Sequence, residues 1–329
     1  MVKKASNVLM LSTGVSLIGL IGLGVQASQA TVLVDSPFNY TVGSPLDGQS
    51  NASDVGFGSG TYGGGIWLGY PGTPTAPSNI NTVGPTLTYT DANGNSLAVS
   101  GNSASINVST SRSGTTNEAS YRNLAGEIGN NGTSSASGYA VTPPQTLWIS
   151  FIAQVPSSEA TSGYNFGGVE FVDQANGNKQ GLFIGQTGTV PVWGLSNNNG
   201  SVSAKVTDQT FTNKAFLVAE VILGGASYNS VAGGSAVINL WQNPLLGPTA
   251  PAVPDATINN GVNFQFNQIA MNAGATISFG EIRVGTTWAD VAPIATPEPA
   301  PAALLGIAGI ASLLLCRRKR VNTGQIGNP

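Results

Sequence analysis

The chain has no histidine and a single cysteine among its 329 residues, and charged residues make up only 8% of it. The missing histidine removes the commonest general base and zinc ligand, and with it any Ser-His-Asp or Cys-His arrangement. One cysteine, Cys316, cannot form an internal disulfide. The fold must therefore be held by its core alone, which a domain of this size can manage. Cys316 itself reads as an inert small apolar residue more than as a lipidation or redox site.

The few charges are unevenly placed. Lys3 and Lys4 sit at the start, and Arg317, Arg318, Lys319 and Arg320 at the end. Between residues 31 and 296 there are six cations and fourteen acids, a net charge of −8. An acidic middle without a basic patch argues against nucleic acid as a partner. Basic ends are what membrane topology signals look like.

What the chain does have is glycine, 44 residues of it, and 41% hydrophobic residues in periodic runs. That combination predicts an ordered β-rich domain with many turns. Residues 1–30 read as a secretory signal, against the alternatives of an anchor or a buried helix. Lys3 and Lys4 lead an apolar core from Val8 to Val25, and Ala27, Ser28 and Ala30 form a small-residue exit, with cleavage after Ala30 or Ala27.

The other end is tripartite. Residues 294–301 are a proline-rich linker in which Pro297, Pro299 and Pro301 favour extended backbone. Residues 300–316 are an uncharged run of 17, about 25 Å long as a helix, just short of a bilayer core of about 30 Å. The transmembrane helix is placed at 302–316, with a basic stop and cytoplasmic tail at 317–329. A run this short and rich in Ala and Gly reads as a weak permanent anchor that suits a temporary role. The order Pro297-Glu298-Pro299, apolar helix and Arg317-Arg318-Lys319-Arg320 closely resembles the PEP-CTERM sorting signal of Gram-negative bacteria. The resemblance implies an exosortase that recognises Pro297, Glu298 and Pro299, a transient stay in the inner membrane, and release to the cell surface, often beside exopolysaccharide. The alternative is an ordinary single-span anchor.

Residues 31–293 carry strand signals and no sustained helical period. "PTLTYTDANGNSLAVSG" reads as a hairpin turning at Asp91–Asn95, and "GGVEFVDQANGNKQGLFIGQ" as a second one. "TLWISFIAQV" is apolar on both faces, as in a strand between two layers. "AFLVAEVIL", "SAVINLWQN", "ATISFGEIRVGTTWADV" and "VNFQFNQIAM", with Val262, Phe264 and Phe266 alternating, come after it. "SPFNYTVGSPLDGQ" is expected to supply an edge strand. The pattern predicts an all-β antiparallel β-sandwich or jelly roll in one domain. "GLFIGQ", "VINLWQNP", "YRNLAG" and above all "FGEIRVGTTWADV" resemble the concanavalin A-like, laminin-G-like jelly roll that often precedes PEP-CTERM signals.

Glycosidases on related folds need two facing carboxylates, which spacing two along a strand provides. Glu170 and Asp173 are three apart and point to opposite faces of a regular strand. Glu281 shares a face with Arg283 and reads as a salt-bridged strand end. No catalysis is expected. Asp91, Asn93 and Asn95 match the first ligand positions of a calcium loop, and Asp173, Asn176 and Asn178 make a similar turn. The same residues suit plain hairpin tips, so no cofactor is expected beyond a possible calcium. Sugar binding would use an exposed aromatic stacked on a pyranose. Trp67, Tyr70, Trp193 and Tyr228 sit in glycine- or asparagine-rich stretches and are the candidates, with simple packing as the alternative for each. Trp148, Trp241 and Trp288 are expected in strands and in the core. The expected function is an exported, exosortase-processed surface or matrix protein, a structural or adhesive component of an exopolysaccharide layer. The alternative is a specific carbohydrate-binding module for that or another surface glycan, and a glycoside hydrolase trails both.

Overall fold

The computed structural model describes residues 32–51, 54–58, 65–69, 81–107, 118–129, 139–140, 145–156, 165–174, 179–188, 192–207, 213–224, 235–274 and 276–295. In chain order the elements begin with β1 (Val32–Ser36), β2 (Leu68–Gly69), β3 (Thr82–Gly84), β4 (Ser103–Ile106) and β5 (Glu118–Gly129). Next come β6 (Tyr139–Ala140), β7 (Gln145–Gln154), β8 (Asn165–Asp173), β9 (Lys179–Gly188), β10 (Trp193–Asn197) and β11 (Val202–Lys205). The last are β12 (Lys214–Leu223), β13 (Ser235–Gln242), β14 (Ala256–Val262), β15 (Gln265–Ala273), β16 (Ile277–Gly285) and the short helix α1 (Trp288–Val291).

The strands form two sheets. The first runs β14-β13-β12-β7-β16-β4-β3, with β1 also on β16; the second runs β11-β10-β9-β8-β15-β5-β2, with β6 on β5. Among the described residues all strand pairings are antiparallel except the short β5–β6 pair. The chain crosses between the sheets repeatedly. Consequently the central strands β7 and β16 of one sheet, and β8 and β15 of the other, come from distant parts of the sequence.

Strand alternation explains the layers. On β7, Leu147, Ile149, Phe151 and Ala153 enter the core between the sheets, while Trp148 and Ile152 point the other way. That outward side is not solvated. Trp148, Phe216, Val218 and Trp241 carry a second apolar layer built from α1, the 89–97 turn and the loop after β13. Trp148 stacks on Trp241 with centroids 5.7 Å apart and meets Trp288 edge-on at 5.6 Å. The polar handles are satisfied: Trp288 Nε1 donates to Gly247 O and Tyr89 Oη to Pro244 O. Each such side chain, fully buried, contributes about 1.5–3 kcal/mol. This second layer is why "TLWISFIAQV" is apolar on both faces.

Three local expectations need correction, and one strand goes unannounced. "SPFNYTVGSPLDGQ" contributes only its first residue, Ser36, to a named strand; the edge strand is β1, which ends there. Val262 and Phe266 do not alternate along one strand, because the run breaks at Asn263–Phe264 and passes from β14 in one sheet to β15 in the other. Trp288 lies not in a strand but at the start of α1, which Thr287 and Asp290 close with a capping box. β5 is a strand that the sequence pattern does not signal: its apolar side chains are sparse, and Arg122 and Asn123 are buried on it.

Candidate functional site

All five tryptophans are buried. Trp67 and Trp193 are 0% exposed, so neither offers a face to a sugar ring. Trp67 stacks on Phe38 at 5.5 Å beneath Phe57, and Trp193 belongs to the core between the sheets. That overturns their selection as exposed platforms: both rings are taken up by the core. Tyr70, Tyr228, Ala30, Pro297, Glu298, Pro299 and Arg317–Arg320 lie outside the described residues, as does the 302–316 helix. Among the described residues no helix is long and apolar enough to cross a membrane.

Asp91 closes a turn. Its Oδ1 accepts from the backbone N of Asn93 (2.9 Å) and Asn95 (2.8 Å), and its Oδ2 from Leu246 N (2.8 Å) and Asn95 Nδ2 (3.2 Å). Gly94 supplies the positive φ. Desolvation pushes the Asp91 carboxyl up, but these donors outweigh it and hold the group below its usual range. Both oxygens face N–H groups, which repel a cation, so this turn does not fit calcium. Asp173 accepts from Gln265 Nε2 (3.0 Å), while Asn176 and Asn178 lie outside the described residues. No group of three potential metal-ligating acids, histidines or cysteines occurs among the described residues.

Two buried charge clusters tie N-terminal segments to β5 and β16. In the first, Arg122 on β5 donates to Asp54 Oδ2 (2.5 Å), Tyr40 Oη (3.2 Å) and Gly65 O (2.6 Å), and its guanidinium lies 4.0 Å from the Phe57 ring centroid. Tyr40 also donates to Asp54, and burial, first among several causes, raises its hydroxyl far above the usual range. In the second, Arg283 donates to Glu281 (2.8 Å) and Ala98 O (2.7 Å) and stands 3.7 Å from Asp35. Glu281 is no strand end: it sits mid-strand in a bulge of β16, with φ +52. That conformation costs about 1–3 kcal/mol and persists because the surroundings over-determine it. Here the carboxylate is held by Arg283 and by the backbone N of Ser100 and Gly101.

Asp35 carries a pH signature. Burial above all, then Glu281 and Asp54, raise its carboxyl from 3.8 to about 6, with Arg283 opposing. The folded chain therefore holds a proton that the unfolded chain has lost between about pH 4 and 6. This group's contribution to stability is present below pH 4 and declines as pH rises through that window. Asp35→Asn is expected to flatten this decline and to raise stability at neutral pH relative to the parent. Denaturant midpoints measured from pH 4 to 8 check it; a variant with the parent's pH profile would reject the assignment.

The outer face of the second sheet holds the remaining candidate. Val169 and Phe171 enter the core, so Glu170 between them faces outward. Its Oε1 accepts from Gln180 Nε2 of β9 (2.8 Å) and Asn272 Nδ2 of β15 (3.1 Å). Burial raises its pKa, and the two amides oppose that. Gly168 and Gly185 face each other across β8–β9, and a Cβ on either would strike backbone at 2.3 Å. The Phe183 ring lies over Gly168. On the next strand pair Gln268 Nε2 donates to Asn123 Oδ1 (3.0 Å). The result is a short strip of two half-buried amides, Gln180 and Asn272, around one carboxylate, able to exchange hydrogen bonds with hydroxyls; Gln268 and Asn123 are buried and serve each other. A glycosidase needs two cooperating carboxylates, and the partners of Glu170 are amides. The sequence sets Glu170 only against Asp173, because Asn272 is 102 residues away.

No protein-family profile matches the chain, and no curated protein matches it. Among solved structures it is similar to an endo-1,3-β-glucanase from Streptomyces sioyaensis, at 13% identity and TM-score 0.43, over 78% of this chain and 96% of that one. It is also similar to a GH131 β-glucanase catalytic domain from Podospora anserina (11%, 0.38, 80% and 98%) and to the binding domain of botulinum neurotoxin serotype D (11%, 0.36, 75% and 48%). Likeness this distant assigns neither a family nor an activity.

Proposed function

We propose that the chain is an exported, exosortase-processed surface or matrix protein whose concanavalin A-like sandwich is a non-catalytic structural or adhesive part of an exopolysaccharide layer. The observation that carries the reading is where the buried carboxylates go. Asp54, Asp91, Glu281 and Asp290 are each bound to backbone N–H groups, cations or amides inside the fold, where they brace loops. Chemistry of this kind stabilises a presented domain and leaves those acids unavailable to a substrate. The sorting half rests on the tripartite end of the sequence. Glu298→Ala is expected to leave the full-length chain in the inner membrane, where the parent is trimmed and released. Fractionation with immunoblotting checks it, and release of the variant at the parent's rate would defeat the reading.

A second reading, a specific carbohydrate-binding module, is favoured by the amide strip around Glu170. It expects a saturable hit on a glycan array that Glu170→Gln weakens about tenfold to a hundredfold while melting is unchanged, the loss of one charge-assisted hydrogen bond of about 1.5–3 kcal/mol. Flat binding by the parent would eliminate it in favour of the structural role.

A further inference from the structure

Among the described residues five large apolar side chains are exposed, and three of them gather near the point where the described chain ends. Leu245 is 47% exposed, Val253 77% and Ile294 41%. Leu245 and Val253 line one open depression of about 450 Å³, formed by the loop between β13 and β14, with Pro244, Ala250 and Pro251. Ile294 is brought to the same layer by strand pairing. Ala98 N donates to Pro293 O and Ala295 N to Ser96 O, so residues 293–295 run antiparallel to 96–98. The next residue along that edge, Asn95, donates from its side chain to Leu246 O, in the loop itself. The chain beyond Ala295 therefore leaves from beside this loop.

The linker after Ala295 is short and points to one occupant. Residues 296–301 span at most about 20 Å when extended, and then the apolar run begins. If that run is in a bilayer, the loop is held within about 20 Å of the lipid surface. A short tether gives an effective concentration of about millimolar, so a patch too small to bind a membrane on its own can still rest on one. The lining of the depression contains no lysine or arginine, and its one acid, Asp255, accepts from Gln242 N. The patch therefore has an apolar contact to offer and no cation to attract anionic headgroups.

We propose that the face formed by Leu245, Val253 and Ile294 is a lipid-contact surface, on which the sandwich rests against the membrane while the chain is still tethered. The inference rests on the tethered-precursor reading above. It orients the domain with the layer over the outer face of the first sheet toward the bilayer, and Val42, 54% exposed beside β3 at the end of that sheet opposite β14, is the reference position off the patch.

The test uses the full chain in vesicles of phosphatidylethanolamine and phosphatidylglycerol. Nitroxide labels are placed one at a time at Val253→Cys and Val42→Cys in a Cys316→Ser background, and at native Cys316 in the parent. On insertion the label at 253 is expected to gain oxygen access and lose access to an aqueous nickel chelate, while the label at 42 does not change. Adding Leu245→Asp is expected to return the 253 label toward water, and removing the anionic lipid is expected to change nothing. A 253 label that stays aqueous while the 316 label is in lipid overturns the contact surface and leaves the tether intact. A 316 label that stays aqueous overturns both. Protection of the 253 label that appears with protein concentration in lipid-free detergent would assign the face to a second copy of the chain, and so also overturn it.

Discussion

Arg122→Ala is expected to lower stability by about 3–5 kcal/mol, the cost of leaving a buried charge without its partner. The side chains of Arg122 and Asp54 are 3% and 0% exposed, so water cannot replace the lost contact. The same guanidinium holds Tyr40 Oη and Gly65 O and covers Phe57. One truncation thus frees segments around residues 40, 54 and 65 from β5 together. For a domain of this size the loss corresponds to a melting shift of about 10 °C. Thermal unfolding followed by circular dichroism measures it. Replacing both partners, as Arg122→Met with Asp54→Asn, should cost less than the two single changes added, because neither charge is then stranded. A single variant that melts within a degree or two of the parent would show that the cluster does not brace the fold.

Trp67→Ala is expected to cost about 3–5 kcal/mol as well, through a cavity and not through a lost binding face. The ring is 0% exposed and contacts Phe38 and Phe57 from two other segments. Trp193→Ala should behave alike, since its ring is also 0% exposed within the main core. Any drop in glycan binding by either variant should track its unfolded fraction and vanish on cooling well below its melting point. A variant that melts like the parent yet no longer binds a glycan would contradict the burial and reinstate the residue as a platform. Arg122 stands 6.0 Å from the Trp67 ring, so changes at 67 and 122 should couple.

The strands legible in the sequence are those whose own residues carry the signal. β7, β12, β13 and β16 are long runs of apolar and β-branched residues bounded by turn chemistry, and β8 and β9 flank an Asn-Gly. The Asp91–Asn95 turn is equally local: side-chain oxygen and backbone N–H groups lie within four residues of each other. β5 is illegible because Arg122 and Asn123 look like surface residues until Asp54 and Gln268 are brought to them. Trp67 misleads because glycine-rich sequence looks like an open turn.

The chain alone determined what depends on near neighbours or on inventory. These are strands with two apolar faces, tight turns, no histidine chemistry, and a terminal order of extended linker, apolar run and cations. Only the tertiary structure decided which aromatics are covered and which acids are engaged. It also set where the loop after β13 lies relative to the end of the described chain. The physical reason is the crossing of the chain between sheets: Glu170 meets Asn272, Asp54 meets Arg122 and Ser96 meets Ala295 across separations that no local pattern encodes. A side chain's burial and charge state are properties of the partners it is given.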